Sequence, residues 1–108
     1  MMNKQLKSKW VKALRSGKYK QGQGTLRIWD KVSHRSAFCC LGVLRELMPA
    51  DLKTVSEKDS FGKPTGALSN KQLKFTGLTR KKEEVLIEMN DAIGNTFKEI
   101  ADYIEQKL

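Results

Sequence analysis

Ser36-Ala37-Phe38-Cys39-Cys40-Leu41-Gly42-Val43-Leu44 is the most apolar stretch of the chain, and its period changes part-way along. Ser36–Cys39 reads as a short strand. Cys40–Met48 reads as a helix, stopped by Pro49, which has no N–H with which to continue the ladder. A strand running directly into a helix predicts an α+β fold with this junction in its core. Cys39 and Cys40 are adjacent, so their Cα atoms lie ~3.8 Å apart, inside the ~4.4 Å minimum of an ordinary disulfide. Both are read as reduced, buried packing residues. A thiol at a helix start meets the positive end of the helix dipole, which keeps a thiol-dependent enzyme open as a remote alternative. The single histidine, His34, lies upstream in a turn, an unsuitable place for the base such an enzyme needs. Two cysteines and one histidine also fall short of a structural zinc site, so no metal and no cofactor is expected.

Upstream, Leu6, Trp10, Ala13 and Leu14 recur at i, i+4, i+7 and i+8 and predict an amphipathic helix. Gly17 ends it as a left-handed cap. Lys18-Tyr19-Lys20-Gln21-Gly22-Gln23-Gly24 reads as a glycine-punctuated basic loop. Thr25-Leu26-Arg27-Ile28-Trp29 then reads as a strand that pairs with Ser36–Cys39 in a hairpin. Downstream, residues 50–67 are polar and read as an irregular loop. Three helices follow. Ser69 with Gln72 makes a capping box, with Leu68 and Leu73 as its hydrophobic staple, and Gly77 closes that helix. Thr79 caps the next, whose Val85, Leu86, Met89 and Ile93 are predicted to share the buried face, and Gly94 ends it. Thr96 with Glu99 caps the last, with Phe97, Ile100, Ala101, Ile104 and Leu108 as its stripe. Glu83 and Glu84 read as surface charges beside Lys81 and Lys82. Asn90-Asp91 reads as a tie at a helix end. The expected architecture is helix, β-hairpin, helix, irregular loop and three C-terminal helices around one small core, with residues 1–108 as a single domain.

Charge divides the chain unequally. Residues 1–35 hold ten Lys and Arg against one acid, Asp30, and the rest of the chain is balanced. A field this one-sided steers anionic partners to one side of the molecule. The basic loop adds glycines that let backbone N–H groups approach an anion, and Tyr19 and Trp29, aromatics suited to stacking a base. The candidate ligand-binding residues are therefore Lys12, Arg15, Lys18, Tyr19, Lys20, Gln21, Gly22, Arg27 and Trp29. The loop is no P-loop, because the Gly-Lys-Ser/Thr ending is missing and the loop follows a helix instead of opening one. The pair of C-terminal helices does not leave room for the recognition helix of a helix-turn-helix unit. No apolar run reaches the ~18–20 residues of a membrane span, and the start lacks the apolar stretch of a signal peptide, so a cytoplasmic protein without a membrane partner is expected.

Three blocks together resemble a recurring family of small, uncharacterised bacteriophage proteins. They are Trp10-Val11-Lys12-Ala13-Leu14-Arg15-Ser16-Gly17-Lys18-Tyr19-Lys20-Gln21-Gly22, Phe38-Cys39-Cys40-Leu41-Gly42-Val43-Leu44, and Met89-Asn90-Asp91 followed by Thr96-Phe97 and Ile100-Ala101-Asp102-Tyr103-Ile104-Glu105. Met89 stands where the family pattern has leucine. The resemblance implies action in the cytoplasm of an infected bacterium and names no catalytic residue. The opening helix, Leu-x-x-Gly-Lys turn and strand are also similar to phage proteins that sequester immune signalling nucleotides. The expected function is that of a basic accessory or anti-defence protein, not an enzyme. It would bind and inhibit a host immune protein or sequester an anionic nucleotide ligand. A nucleic-acid-binding module using the N-terminal third is the alternative.

Overall fold

The computed structural model describes residues 2–23, 26–31, 34–53 and 67–108, and the fold is α+β. Asn3 opens α1 (Lys4–Arg15): its Oδ1 accepts from the backbone N–H of Gln5 at 3.0 Å and of Leu6 at 3.1 Å. The apolar stripe of α1 buries Leu6, Trp10, Val11 and Leu14. Ala13, assigned to that stripe from the sequence, is only half-buried, and Val11 takes its place. Gly17 follows the helix in the left-handed conformation (φ 76°).

Three short strands come next, β1 (Lys20–Gln21), β2 (Arg27–Asp30) and β3 (Arg35–Phe38), in the spatial order β1-β3-β2. The expected hairpin is β2–β3, antiparallel, with Arg27 opposite Phe38 and Trp29 opposite Ser36. Its strands sit slightly out of the predicted bounds: β2 begins two residues later than Thr25, which lies outside the described residues, and β3 covers Arg35–Phe38 in place of Ser36–Cys39. The stretch read as a basic loop contributes β1, which pairs parallel to β3, Lys20 with Ala37 and Gln21 with Phe38. The Gly22 N–H extends this ladder to the Phe38 carbonyl at 2.7 Å. A two-residue strand has no period of its own, so only the long-range partner makes it a strand.

Cys39 leads directly into α2 (Cys40–Glu46), which is the centre of the core: Cys40, Leu41, Val43 and Leu44 are all buried. The Trp10 indole Nε1 donates to the Cys40 carbonyl at 2.8 Å and so ties α1 to the start of α2. The helix ends at Glu46, two residues short of Met48. Pro49 does more than stop it: the N–H groups of Leu52 and Lys53 donate to the Pro49 carbonyl, opening the short helix α3 (Ala50–Lys53). This turn of helix occupies the start of the segment read as an irregular loop, and residues 54–66 of that segment lie outside the described residues.

The three C-terminal helices form where the capping chemistry places them. They are α4 (Asn70–Thr76), α5 (Arg80–Ile87) and α6 (Phe97–Lys107). Both capping boxes close, Ser69 with Gln72 and Thr96 with Glu99, and Thr79 caps α5. Leu68 and Leu73 are both buried in the core cluster. Gly77 and Gly94 end their helices at positive φ.

The face of α5 departs from its sequence reading. Of Val85, Leu86, Met89 and Ile93, only Leu86 is buried, and Ile93 is 64% exposed. The buried line is Glu83, Leu86 and Asn90. Beyond Ile87 the chain widens into a π-helical segment, Glu88–Ile93, and Asn90 within it still faces the core below Leu86. Glu83 is likewise no surface charge. It is fully buried, accepting from the Leu68 N–H at 2.7 Å and from Arg80 Nη1 at 2.6 Å, so a paired carboxylate anchors the chain entering α4.

Candidate functional site: a basic side anchored on a buried amide

Helix α1 packs on α6, which leaves its lysine-bearing side facing out. Two shallow grooves flank that side and share Lys12. One, of about 410 Å³, is lined by Lys4, Lys7, Ser8, Val11, Lys12, Arg15 and Glu105. The other, of about 340 Å³, is lined by Lys9, Lys12, Ala13, Ser16, Lys18, Tyr19 and Leu47. Lys4, Lys9, Lys12 and Lys18 are exposed.

The nine candidate ligand-binding residues divide into three groups. Lys12 and Lys18 stand at the grooves with exposed ammonium stems. Arg15 pairs with α6 at the surface: Nη2 donates to Asp102 Oδ1 at 2.6 Å and Nη1 to Glu105 Oε2 at 2.7 Å. Those carboxylates, Asp102 foremost, hold the guanidinium above its ordinary pKa, and its charge is largely met within the protein. Tyr19 packs edge-on against Phe38 with ring centroids 5.3 Å apart, and Lys18 Nζ sits 5.7 Å from the Tyr19 centroid. Arg27 lies over the other part of Phe38 at 5.9 Å and donates through Nε to Ser36 Oγ at 3.0 Å. Trp29 is 57% exposed on β2. Lys20 is half-buried in β1.

Gln21 and Gly22 belong to the third group, and their role is internal. The fully buried Asn90 gathers them. Its Oδ1 accepts from Gln21 Nε2 at 2.9 Å and from the Cys40 N–H at 3.2 Å. Its Nδ2 donates to the Gly22 carbonyl at 2.8 Å and to Asp91 Oδ1 at 2.7 Å. Gln23 Nε2 donates to the Asn90 carbonyl at 3.2 Å, and Gln21 Nε2 also reaches the Asn95 carbonyl at 2.7 Å. The basic loop, the start of α2 and the π-helical segment are thus joined through one amide. Asn90, read from the sequence as a tie at its own helix end, instead anchors the segment that carries Lys18 and Tyr19. The signal in the sequence is spacing alone: Asn90 lies four residues after Leu86, on one α-helical line with it. Lys4, Lys7 and Lys9 also line the grooves; they belong to the charge excess of residues 1–35 and stand outside the nine candidates.

The matched region of the chain fixes its family. Residues 2–65, more than half of the chain, match DUF8296, a domain of unknown function. The chain belongs to the DUF8296 family. Neither a curated protein nor a solved structure matches it. The DUF8296 match takes in α1, the sheet, α2 and α3, and therefore both grooves except for Glu105, whereas Asn90 comes from the chain beyond it.

Thiol chemistry is disfavoured by burial. Cys39 is 3% exposed, and desolvation pushes its thiol up to about 11 despite backbone N–H donors of Leu41 and Gly42 at the helix start. Burial also raises Cys40 well above the ordinary thiol range, and its Sγ lies 3.7 Å from the Leu86 carbonyl. A raised folded pKa means that the unfolded chain ionises first. This contribution to stability is complete below the ordinary value of 9.0 and is lost as pH rises towards 11. Compared with Cys39→Ala, the wild-type protein should therefore lose about 2–3 kcal/mol of relative stability across that interval. Urea titrations of both proteins at three alkaline pH values check this, and a constant difference would show that Cys39 ionises as readily in the folded protein as in the unfolded chain.

Among the described residues, no group of three or more His, Cys, Asp or Glu is arranged to hold a metal ion, and no helix is long and apolar enough to cross a membrane.

Proposed function

We propose that this protein works by binding, holding an extended anionic partner along the lysine-bearing side of α1, and that it turns nothing over. The observation that carries this reading is the pair of open grooves sharing Lys12, with Lys4, Lys7, Lys9 and Lys18 around them. Their shallow, open form suits a chain or a surface better than a small enclosed molecule. The one-sided charge of residues 1–35 supports the same reading, because it raises the encounter rate with any anion. Together with the resemblance to small bacteriophage proteins, this makes an accessory protein of an infected bacterium, acting in its cytoplasm to occupy a host factor or an anionic ligand.

Arg15, already paired with Asp102 and Glu105, contributes positioning of α1 against α6 more than contact with the partner. Heparin serves as a generic polyanion for the test. The triple variant Lys4→Glu, Lys9→Glu, Lys12→Glu should elute from immobilised heparin at markedly lower salt than the wild type, whereas reversal of Lys71, Lys74 and Lys81 on α4 and α5 should shift elution less. Equal shifts from both triples would mean that only net charge matters and that α1 carries no binding side.

A further inference from the structure

We propose that the groove beside Tyr19 and the outer face of the β2–β3 hairpin form one continuous platform for single-stranded nucleic acid, with Trp29 as its stacking residue. This rests on the anion-binding reading above and names the class of anion.

Continuity of the surface follows contact by contact. Lys9 and Lys12 border the groove whose far wall is Lys18 and Tyr19. The Tyr19 ring meets Phe38, and Arg27 covers Phe38 at 5.9 Å. Trp29 is two residues along β2 from Arg27, so the pleat returns it to the same face of the sheet about 7 Å further on. Cations thus run from Lys9 to Arg27, with the half-buried Tyr19 and the exposed Trp29 among them and the buried Phe38 beneath. A strand of nucleic acid needs this combination, cationic groups for its phosphates and flat rings for its bases.

Trp29 is the most exposed aromatic ring among the described residues. It is 57% exposed in a protein with two tryptophans, the other being the fully buried Trp10. Its own strand gives it little cover, for the residue opposite on β3 is Ser36. Among the described side chains, Glu46 is an acid near this surface, 4.0 Å from Arg27, and it is shared with Lys53 at 3.6 Å. Single strands are favoured over duplex because an exposed ring can stack only on a base that is not already stacked within a helix. An acidic protein segment would use the lysines but gain less from Trp29.

The two tryptophans make the test direct. Titration with a twelve-residue oligothymidylate at low salt should quench the emission of Trp29, while Trp10 inside the core is unaffected. Trp29→Ala should weaken binding about 5- to 100-fold, and Trp29→Phe should restore most of the affinity while abolishing the quenching. The logarithm of the binding constant should fall with the logarithm of salt concentration with a slope of about −2 to −3, as three or four phosphate contacts require. Binding without quenching, unchanged affinity in Trp29→Ala, or equal affinity for a duplex of the same length would overturn the platform. Absence of oligothymidylate binding from a protein that still binds heparin through α1 would overturn it too and leave the anion-binding reading standing.

Discussion

Replacing Gly42 by alanine should destabilise this protein by about 3 kcal/mol or more, although alanine is the better helix former by about 1 kcal/mol. Gly42 lies inside α2. A Cβ built there falls 1.8 Å from the carbonyl oxygen of Leu26 and 2.7 Å from its carbonyl carbon. Backbone, not a flexible side-chain tip, occupies that space. Leu26 has little freedom to retreat: its side chain is 2% exposed, and its carbonyl accepts the Cys39 N–H at 3.3 Å. To admit a methyl group, α2 must lift off the chain entering β2, opening the centre of the core.

Gly17→Ala makes the informative contrast. At Gly17 nothing lies within 4 Å of an added Cβ, but the backbone is left-handed at φ 76°. Its cost is conformational alone, about 1 kcal/mol. Urea unfolding of the two variants separates the mechanisms. A Gly42→Ala protein as stable as the wild type would show that α2 and Leu26 do not meet as described.

Which parts of this fold could be read from the sequence follows from the range of the forces that set them. Helix ends are local. Ser69 with Gln72, Thr79, and Thr96 with Glu99 each solve the problem of unpaired N–H groups within four residues, and each was found where its residue types predicted. The same holds for Gly17, Gly77 and Gly94. The burial of Cys39 and Cys40 followed from the apolar company they keep. What escaped depends on distant partners. β1 exists only because β3 passes beside Lys20–Gln21. Glu83 is buried only because Leu68 and Arg80 bring an N–H and a guanidinium to it. The stripe on α5 is misplaced because the line that packs inward, Glu83, Leu86 and Asn90, has two polar members whose buried partners lie far off in sequence.

The candidate site divides in the same way. Charge is a property of composition, so the basic side was visible at once. Lys12, Lys18 and Tyr19 do line a groove, and Trp29 is exposed. Whether a given polar residue faces outward is not a matter of composition. Gln21 and Gly22 sit in the middle of the basic loop yet spend their hydrogen bonds on Asn90, and Arg15 spends its own on α6. A glycine-rich basic loop is thus partly a docking segment, and it is held by a residue about seventy positions away.

Asn90→Ala is accordingly the second change expected to have a large effect, about 3–4 kcal/mol. The loss has two parts. The Cys40 N–H and the Gly22 carbonyl are both deprived of a partner; the buried Cys40 N–H costs about 1–3 kcal/mol and the half-buried carbonyl less. The amide itself is 0% exposed, so its removal also leaves a void next to α2. Asn90→Asp retains the acceptor for Cys40 but turns a second oxygen towards the Gly22 carbonyl and Asp91, replacing two attractions by two repulsions. It should be at least as damaging at neutral pH. A double-mutant cycle with Gln21→Ala isolates the bond that holds the loop: the two substitutions should be non-additive by about 1 kcal/mol, because the second removes a group whose partner is already gone. The grooves supply an independent readout. If Asn90 anchors the segment bearing Lys18 and Tyr19, whatever fraction of Asn90→Ala remains folded should bind heparin more weakly than Lys18→Ala does. Additive unfolding energies with unchanged heparin binding would reduce Asn90 to a core residue with no part in shaping the basic side.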